Sequence, residues 1–219
     1  MSPRPKQVAP RRAPRLYLTT PTIVDPSTFS TQLDTALDAG DVAAVLLRFG
    51  EADERTLINC AKALAPPVQG KDAALLLSGH ETLVARAGAD GAHLTGLASF
   101  MEAIEHLKPE RIVGAGGLAS RHDAMLAAER GADYVMFGEP DATETRPTLS
   151  AIEERVAWWA EIFEIPCVGY AASLDEIATL VAAGADFIAL GDFLWRDTQA
   201  IAATIRDAVR YLRPAETTA

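Results

Sequence analysis

From Arg15 onward the chain alternates short, almost wholly apolar runs with longer amphipathic stretches. Eight apolar runs of four to six residues can be counted: Leu16–Thr19, Ala43–Arg48, Ala73–Ser78, Gly91–Thr95, Arg111–Ala115, Tyr134–Gly138, Pro166–Tyr170 and Phe187–Gly191. Near-continuous apolar strands of this kind are typical of a parallel sheet whose faces are covered by helices. The alternation therefore predicts a series of eight β/α units.

Helix start and stop signals lie between these runs. Ser120 is a candidate N-cap, Ser173 with Glu176 three residues later has the spacing of a capping box, and Pro66-Pro67 should end the preceding helix. The predicted helices are Thr28–Ala39, Asp53–Leu64, Glu81–Ala87, Ser120–Arg130, Ala151–Phe163, Ser173–Ala183 and Thr198–Leu212.

Short segments containing Gly and Asp precede every second strand. They are Ala39-Gly40-Asp41, Gly88-Ala89-Asp90, Gly131-Ala132-Asp133 and Gly184-Ala185-Asp186. Each predicts a helix that ends on a left-handed Gly, followed by an Asp that accepts from backbone N–H groups as the chain enters the sheet. This twofold modulation fits a closed barrel, in which alternate strands contribute alternate layers.

The alternative fold is a doubly wound open sheet. Such a sheet usually has a Gly-rich turn after its first strand, whereas this chain has Thr19-Thr20-Pro21 there. The predicted fold is therefore a single (β/α)8 TIM barrel over residues 15–212.

Charge is distributed unevenly along the 219 residues, whose formal net charge is −10. Residues 1–14 contain four basic residues, no acid and four prolines, which predicts a flexible tail, and residues 213–219 form a predicted C-terminal tail. Residues 15–219 carry 16 basic and 30 acidic residues. A body this acidic repels phosphate backbones, so nucleic acid is not an expected partner.

Neither the apolar runs nor the cysteines indicate a membrane or secreted protein. The longest uninterrupted apolar run, Val42–Leu47, has six residues, against about 18 needed to span a bilayer, and the N-terminus lacks the apolar region of a secretory signal. Cys60 and Cys167 form neither a disulfide framework nor a zinc motif. We expect a cytoplasmic protein with no membrane partner.

In a TIM barrel the functional site lies at the carboxyl ends of the strands. Arg48 ends the second strand, where a guanidinium could hold a carboxylate or phosphate; the alternative is a structural ion pair with Glu51 or Glu139. Glu139 follows the sixth strand and could act as a general base, or be a solvated loop acid. His80, just beyond the third strand, is the second catalytic candidate, or an exposed residue at a helix start.

Other residues at the strand ends are candidates for binding a small phosphorylated or anionic substrate. They are Ser78, Thr95, Gly116, Gly117, Tyr170 and Asp192. The run Gly114–Gly117 could cradle an anion, whereas His93, inside the fourth strand, is interpreted mainly as a core residue. Trp158, Trp159 and Trp195 indicate either outer-layer packing or a subunit contact, which leaves a homodimer open.

Several stretches resemble the thiamine phosphate synthase/TenI family, of which the chain would be a diverged member. They are Arg15–Thr20, Leu46–Arg48, Gly88–Leu94 and Gly131–Gly138, and the resemblance covers about residues 15–212 in the family's strand order. The stretch Gly88-Ala89-Asp90-Gly91-Ala92-His93-Leu94 is the most specific.

The resemblance also implies site positions. Arg48 matches the Arg of the family's Gln-Leu-Arg-x-Lys motif, Ser78-Gly79 replaces an Asn-Asp pair, and Gly116 replaces a Ser. The remaining positions follow in strand order: Thr143, Thr145 and Arg146 in place of a Thr/Lys loop, Gly169 and Tyr170 at the phosphate-binding Gly-Gly, and Gly191 with Asp192 in the last turn. Glu139 stands where TenI-type members carry His.

The resemblance implies a thiamine phosphate synthase-like enzyme that joins a pyrimidine diphosphate to a thiazole phosphate. Both carboxylates that would bind magnesium in a synthase are absent, so no metal site is predicted, and magnesium is expected only if synthase activity is retained. The alternatives are a TenI-like isomerase and a non-catalytic binder of a small anionic heterocycle, both without magnesium.

Overall fold

The computed structural model describes residues 13–141 and 143–212, which form a closed barrel of eight parallel strands. The strands are β1 (Arg15–Ile23), β2 (Val42–Phe49), β3 (Ala74–Ser78), β4 (Gly91–Thr95), β5 (Ile112–Gly116), β6 (Tyr134–Phe137), β7 (Cys167–Ala171) and β8 (Phe187–Leu190). Each strand pairs with the next in the chain, and β8 closes on β1. The predicted TIM barrel and its eight strands are confirmed.

Helices follow the strands on the outside of the barrel. They are α1 (Pro26–Ala39), α2 (Glu54–Gln69), α3 (Val84–Ala87), α4 (Leu97–Leu107), α5 (Arg121–Glu129), α6 (Leu149–Ile162), α7 (Leu174–Ala182) and α8 (Ile201–Leu212). Two short 3-10 helices, Glu81–Leu83 and Asp192–Trp195, precede α3 and α8. The predicted tails fall mainly on residues 1–12 and 213–219, outside the described residues.

The sequence prediction contained no helix between the fourth and fifth strands, and this was wrong. Helix α4 fills that interval and buries Phe100, Ala103, Ile104 and Leu107. These positions are spaced by three, one and three residues, which places them on one face of a helix.

The prediction that Pro66-Pro67 ends the second helix was also wrong. Helix α2 continues through both prolines to Gln69, and the N–H of Gly70 still donates to the Pro66 carbonyl over 2.9 Å. The residues on either side of the prolines, Ala65 and Val68, are buried against the core. Their burial offsets the backbone hydrogen bonds that proline cannot donate.

The Gly-Asp segments behave as predicted before β4, β6 and β8. Gly88, Gly131 and Gly184 have positive φ, and the following Asp carboxylates accept a backbone N–H from the preceding strand, as Asp133 does from Val113 at 2.7 Å. The segment before β2 differs, because Gly40 is extended and the Asp41 side chain pairs with Arg15.

The predicted capping box at Ser173 and Glu176 is absent from the described contacts. The Ser173 side chain makes no capping bond, and the Glu176 carboxylate binds Arg146 and the N–H of Ala172 instead. The Arg146 guanidinium contacts both carboxylate oxygens of Glu176, which a single backbone N–H cannot do. A capping box does form at Ser120, with Asp123 as its partner.

The core has two layers separated by the strands. The larger lies between strands and helices, and the smaller fills the barrel interior with residues that include Tyr17, Leu76, Tyr134, Met136 and Tyr170. The interior layer is therefore rich in phenols, whose hydroxyl groups need partners when buried.

The tryptophans pack mainly in the outer layer of the core, between the strands and the helices. Trp159 and Trp195 are buried within this chain, whereas Trp158 is half-buried and lies under the Arg121 guanidinium. Within residues 13–141 and 143–212, every helix is too short or too polar to cross a bilayer.

Candidate active site

A column of four hydrogen-bonded side chains rises through the barrel interior to its carboxyl end. The Tyr17 and Tyr134 hydroxyl oxygens lie 2.9 Å apart, and the Tyr134 oxygen is 3.0 Å from His93 Nδ1. His93 Nε2 in turn lies 2.9 Å from Glu139 Oε2. His93 is 1% exposed, so this pair is shielded from bulk water on the histidine side.

Two glycines of β5 make room for the column. A Cβ on Gly114 would lie 2.0 Å from the Tyr134 ring, and a Cβ on Gly116 would lie 2.1 Å from Glu139 Oε1 and 2.5 Å from His93 Nε2. The run Gly114–Gly117, predicted as an anion cradle, thus supplies space for the His93–Glu139 pair. Gly117 has a φ of +57°, which glycine adopts readily.

The turn after β6 brings Glu139 back over the barrel. Gly138 has a φ of +96°, and a Cβ there would lie 2.6 Å from Ile152 Cδ1, so both the conformation and the close approach favour glycine. The Glu139 side chain is 12% exposed. Its Oε1 is buried without a hydrogen-bond partner among the described residues, although Oε2 is bound to His93.

Burial also determines the protonation of the two phenols. It raises the pKa of Tyr17 and of Tyr134 well above that of an ordinary tyrosine, and the neighbouring Glu139 charge adds to the effect at both. Both phenols therefore stay protonated throughout the physiological pH range.

Glu139 contributes to the wall of a cavity of about 400 Å³ at the mouth. The cavity lies between the loops that follow β5 and β6, and its wall also includes Gly117, Thr145, Arg146 and Arg155. A cavity of this volume suits a small-molecule ligand.

Arg155, on α6, was not singled out in the sequence. Its guanidinium donates to the carbonyls of Leu118 and Ala119, each over 2.8 Å. Because its described partners are neutral carbonyls, its positive charge remains available to an anion in the cavity.

Arg48 lies on the other side of the mouth and is already paired. Its Nε donates to the Thr20 carbonyl, and its guanidinium forms an ion pair with Asp192. The two predicted binding residues are thus brought together. The structural alternative named Glu51 or Glu139 as the partner of Arg48, and that was wrong.

Arg146 is held in the same way by an internal acid. It contacts both Glu176 carboxylate oxygens at 2.9 Å and donates to the carbonyls of Gly138 and Tyr170. Both partners of the ion pair are about four-fifths buried. This pair ties the loop after β6 to the start of α7, at the wall of the cavity.

The loop that contains Thr143 and Thr145 is organised by Asp141. The Asp141 carboxylate accepts from the Thr143 hydroxyl and from the N–H groups of Thr143 and Thr145, which lowers the pKa of Asp141. The two predicted threonines thus bind an internal carboxylate.

The structure places most of the other predicted binding residues around the mouth, with Gly169 as the exception. Ser78 and Thr95 end β3 and β4, Gly169 packs outward against Leu180, and a Cβ on Gly191 would lie 2.4 Å from the Tyr170 hydroxyl oxygen. Burial raises the pKa of Tyr170, and the Asp192 charge adds to this effect.

His80 lies outside the column. It is exposed, has a φ of +50°, and its ring centroid lies 6.0 Å from that of Phe49. The histidine joined to Glu139 is His93, which sequence reasoning treated as a core residue. The sequence offered one signal, the glycines Gly114 and Gly116 in the next strand; the structure pairs His93 with Gly114 and Thr95 with Gly116, so no side chain of β5 fills the space beside His93.

The donor set at the mouth does not fit a magnesium ion held by the protein. Asp192, Glu176 and Glu139 are each bound to a basic side chain, and they are distributed over different sides of the mouth. In the part of the chain that the structure describes, no three carboxylate, imidazole or thiol groups converge. Magnesium requires several hard oxygen ligands in octahedral geometry.

Comparison with known proteins agrees with the barrel fold. The sequence model of the thiamine monophosphate synthase family matches residues 16–194. The thiamine-phosphate synthase of Rhodospirillum centenum is 40% identical over 207 residues, covering 91% of this chain and 98% of that protein. The corresponding protein of Hyphomonas neptunium is 37% identical over 205 residues, covering 90% and 93%.

Among solved structures, thiamine phosphate pyrophosphorylase from Pyrococcus furiosus superposes with a TM-score of 0.73. It is 20% identical, and the match covers 90% of this chain and 95% of that one. At this identity the likeness concerns the fold. The family match over most of the barrel, with relatives of 37–40% identity across nearly their whole length, shows that the chain belongs to the thiamine monophosphate synthase family.

Proposed function

We propose that this barrel moves a proton on a small anionic heterocycle of the thiazole phosphate type, with Glu139 as the general base. The observation that carries the proposal is the state of the Glu139 carboxylate at the cavity. Its Oε2 is held by His93, whereas its buried Oε1 has no partner among the described residues. A fixed carboxylate with one unoccupied oxygen is suited to accept a proton from a bound molecule.

Arg155 supplies the charge that would hold the substrate's anionic group. Arg48 and Arg146 are neutralised by Asp192 and Glu176, whereas the described contacts of Arg155 are with carbonyl oxygens. Both Arg155 and Glu139 lie on the wall of the same cavity. A phosphate near Arg155 would thus leave the heterocycle within the space that Glu139 borders.

The reaction that follows is an isomerisation. Glu139 Oε1 takes a proton from one atom of the ring and returns it to another, so no proton is gained or lost overall. His93 keeps Oε2 in place during the transfer, and the cavity wall limits the access of water to the carboxylate. The proposed reaction needs no metal held by the protein, in keeping with the donor set at the mouth.

A second candidate is the synthase reaction, in which a pyrimidine diphosphate and a thiazole phosphate are joined. The names of the relatives from Rhodospirillum centenum and Hyphomonas neptunium favour it. It would require that the two phosphorylated substrates supply most of the ligands for magnesium. The paired states of Arg48 and Arg146 favour the isomerase.

Proton exchange into the substrate tests the first candidate. The protein is incubated with thiazole phosphate carboxylate in D₂O, and isomerisation and deuterium incorporation are followed by NMR. We expect turnover, and a loss of at least about 100-fold in Glu139→Gln, because general-base catalysis contributes about 10²–10⁴-fold. Glu153→Gln is the matched control, since Glu153 is exposed on α6.

Turnover at the same rate in Glu139→Gln would refute the assignment of the base. A parallel reaction contains the pyrimidine diphosphate, the thiazole phosphate and magnesium, and is analysed for thiamine phosphate and pyrophosphate. Stoichiometric formation of both products, without isomerisation, would favour the synthase.

We also propose that the protein works in the cytoplasm on a small phosphorylated substrate. The match to the thiamine monophosphate synthase family is the reason for this proposal. A homodimer remains a prediction, to be tested by analytical ultracentrifugation.

A further inference from the structure

We propose that Tyr134 and Tyr17 are positioning residues that act through His93 on Glu139. They hold His93 as the neutral tautomer with its proton on Nε2, so that this N–H donates to the Glu139 carboxylate. The catalytic consequence rests on the proposed function, whereas the tautomer itself is a property of the protein without substrate.

The order of donors follows from the groups that meet in the column. An ionised Glu139 can only accept, so the hydrogen between Oε2 and His93 Nε2, 2.9 Å apart, belongs to the histidine. A neutral imidazole carries one proton, which leaves Nδ1 as an acceptor. The group within 3.0 Å of Nδ1 is the Tyr134 hydroxyl, and it therefore donates.

Tyr17 is the first donor in this chain of hydrogen bonds. Once the Tyr134 proton is directed to His93, the Tyr134 oxygen can only accept from Tyr17, which lies 2.9 Å away. Because burial keeps both phenols protonated, each has a proton to give. With His93 neutral, this arrangement satisfies all three contacts while Glu139 remains a carboxylate.

The packing around the column favours this arrangement. The His93 and Tyr134 rings are stacked with 15° between their planes, and the Tyr17 and Tyr134 rings meet edge to face with centroids 5.8 Å apart. Gly114 leaves the space that the Tyr134 ring occupies. The phenols are therefore fixed in position, with little freedom to rotate away from His93.

Nitrogen-15 NMR of histidine-labelled protein tests the tautomer without any ligand. Long-range ¹H–¹⁵N correlations distinguish an Nε2–H ring from an Nδ1–H ring or an imidazolium, and the His93 signal is identified by its absence in His93→Gln. We expect the Nε2–H tautomer at neutral pH in the unaltered protein. In Tyr134→Phe, which removes only the hydroxyl, we expect the Nδ1 resonance to shift because that nitrogen loses its donor, while Nε2 keeps its proton toward Glu139.

Two further variants serve as comparisons: Tyr17→Phe tests the donor to Tyr134, and Tyr211→Phe is the control. Tyr17→Phe should shift the His93 signals less than Tyr134→Phe, because it removes only the donor to Tyr134. Tyr211→Phe, at an exposed position on α8, should leave them unchanged. An imidazolium or an Nδ1–H ring in the unaltered protein, or an unaltered His93 spectrum in Tyr134→Phe, would overturn the proposal.

The isomerisation assay then tests the catalytic consequence. Tyr134→Phe should lower kcat about 3- to 10-fold with KM nearly unchanged, which corresponds to the loss of one hydrogen bond. If the NMR result holds but kcat does not change, Tyr134 is not a positioning residue for catalysis. If the unaltered protein itself gives no isomerisation, the proposed function fails while the tautomer assignment stands.

Discussion

Gly116 is the position at which a single added carbon should disturb the candidate site most directly. In Gly116→Ala the new Cβ would lie 2.1 Å from Glu139 Oε1 and 2.5 Å from His93 Nε2. Both contacts are shorter than van der Waals separations by about 1 Å. The carboxylate must therefore move, and the 2.9 Å contact between Glu139 and His93 should break.

The expected cost combines crowding with a lost hydrogen bond. Overpacking of a tight interior costs about 1–3 kcal/mol, and a hydrogen bond to a charged group contributes about 1.5–3 kcal/mol. Since Glu139 lies at the mouth, it can turn toward water and recover part of that second contribution. We expect the free energy of unfolding to fall by about 1–3 kcal/mol, and isomerase activity to fall as in Glu139→Gln.

Urea denaturation measures this change, with Gly50→Ala as the matched control. A Cβ on Gly50 would meet Thr22 Cγ2 at an ordinary 3.5 Å, so this variant should keep its stability and activity. Adding Glu139→Ala should reduce the cost of Gly116→Ala by at least about 0.5 kcal/mol, since one source of the clash is removed. If Gly116→Ala were as stable and active as Gly50→Ala, the described position of the Glu139 side chain would be wrong.

Three further predictions concern the ion pairs, the loop after β6 and the thiols. Asp192→Asn should strengthen the binding of inorganic phosphate about fivefold, as measured by calorimetry. The reason is that Arg48 loses a partly exposed carboxylate partner, and such a pair contributes up to ~1 kcal/mol. An unaltered affinity would contradict this prediction. Asp141 should titrate below the usual aspartate pKa in carbon-13 NMR, because its hydrogen bonds with Thr143 favour the carboxylate. Its contribution to stability is thus present above about pH 4 and is lost as the pH falls through the lower, folded-state pKa, and an ordinary titration would refute the described loop. Cys60 should resist alkylation at pH 8 until the protein is unfolded, because burial raises its pKa to about 11; rapid labelling of the folded protein would contradict its burial.

The periodic parts of the fold could be predicted because they depend on local pattern. Eight apolar runs and four Gly-Asp segments before alternate strands were sufficient to predict a closed barrel, and three of the four glycines have the predicted positive φ. The errors arose where packing overrides local preference. Helix α2 continues through Pro66-Pro67 because the flanking residues Ala65 and Val68 are buried against the core. The Glu176 carboxylate pairs with Arg146 instead of capping helix α7 at Ser173.

The candidate site was predictable only in part. The ends of the strands indicated Glu139, Arg48 and Asp192 as residues of the mouth, but not which acid meets which base. Arg48 pairs with Asp192 across 144 positions of sequence. No local pattern encodes such a contact, since it depends on β8 closing beside β1 and β2.

The sequence by itself determined the order of strands and helices and the residues at their ends, because hydrophobic periodicity and turn chemistry act between near neighbours. Only the tertiary structure decided that His93 is the partner of Glu139 and that Tyr17 and Tyr134 lie behind it. Tyr17 and Tyr134 are 117 positions apart and meet because the barrel interior is narrow. In so small a space a buried hydroxyl or imidazole must find its partner on whichever strand faces it, and closure of the barrel sets which strand that is.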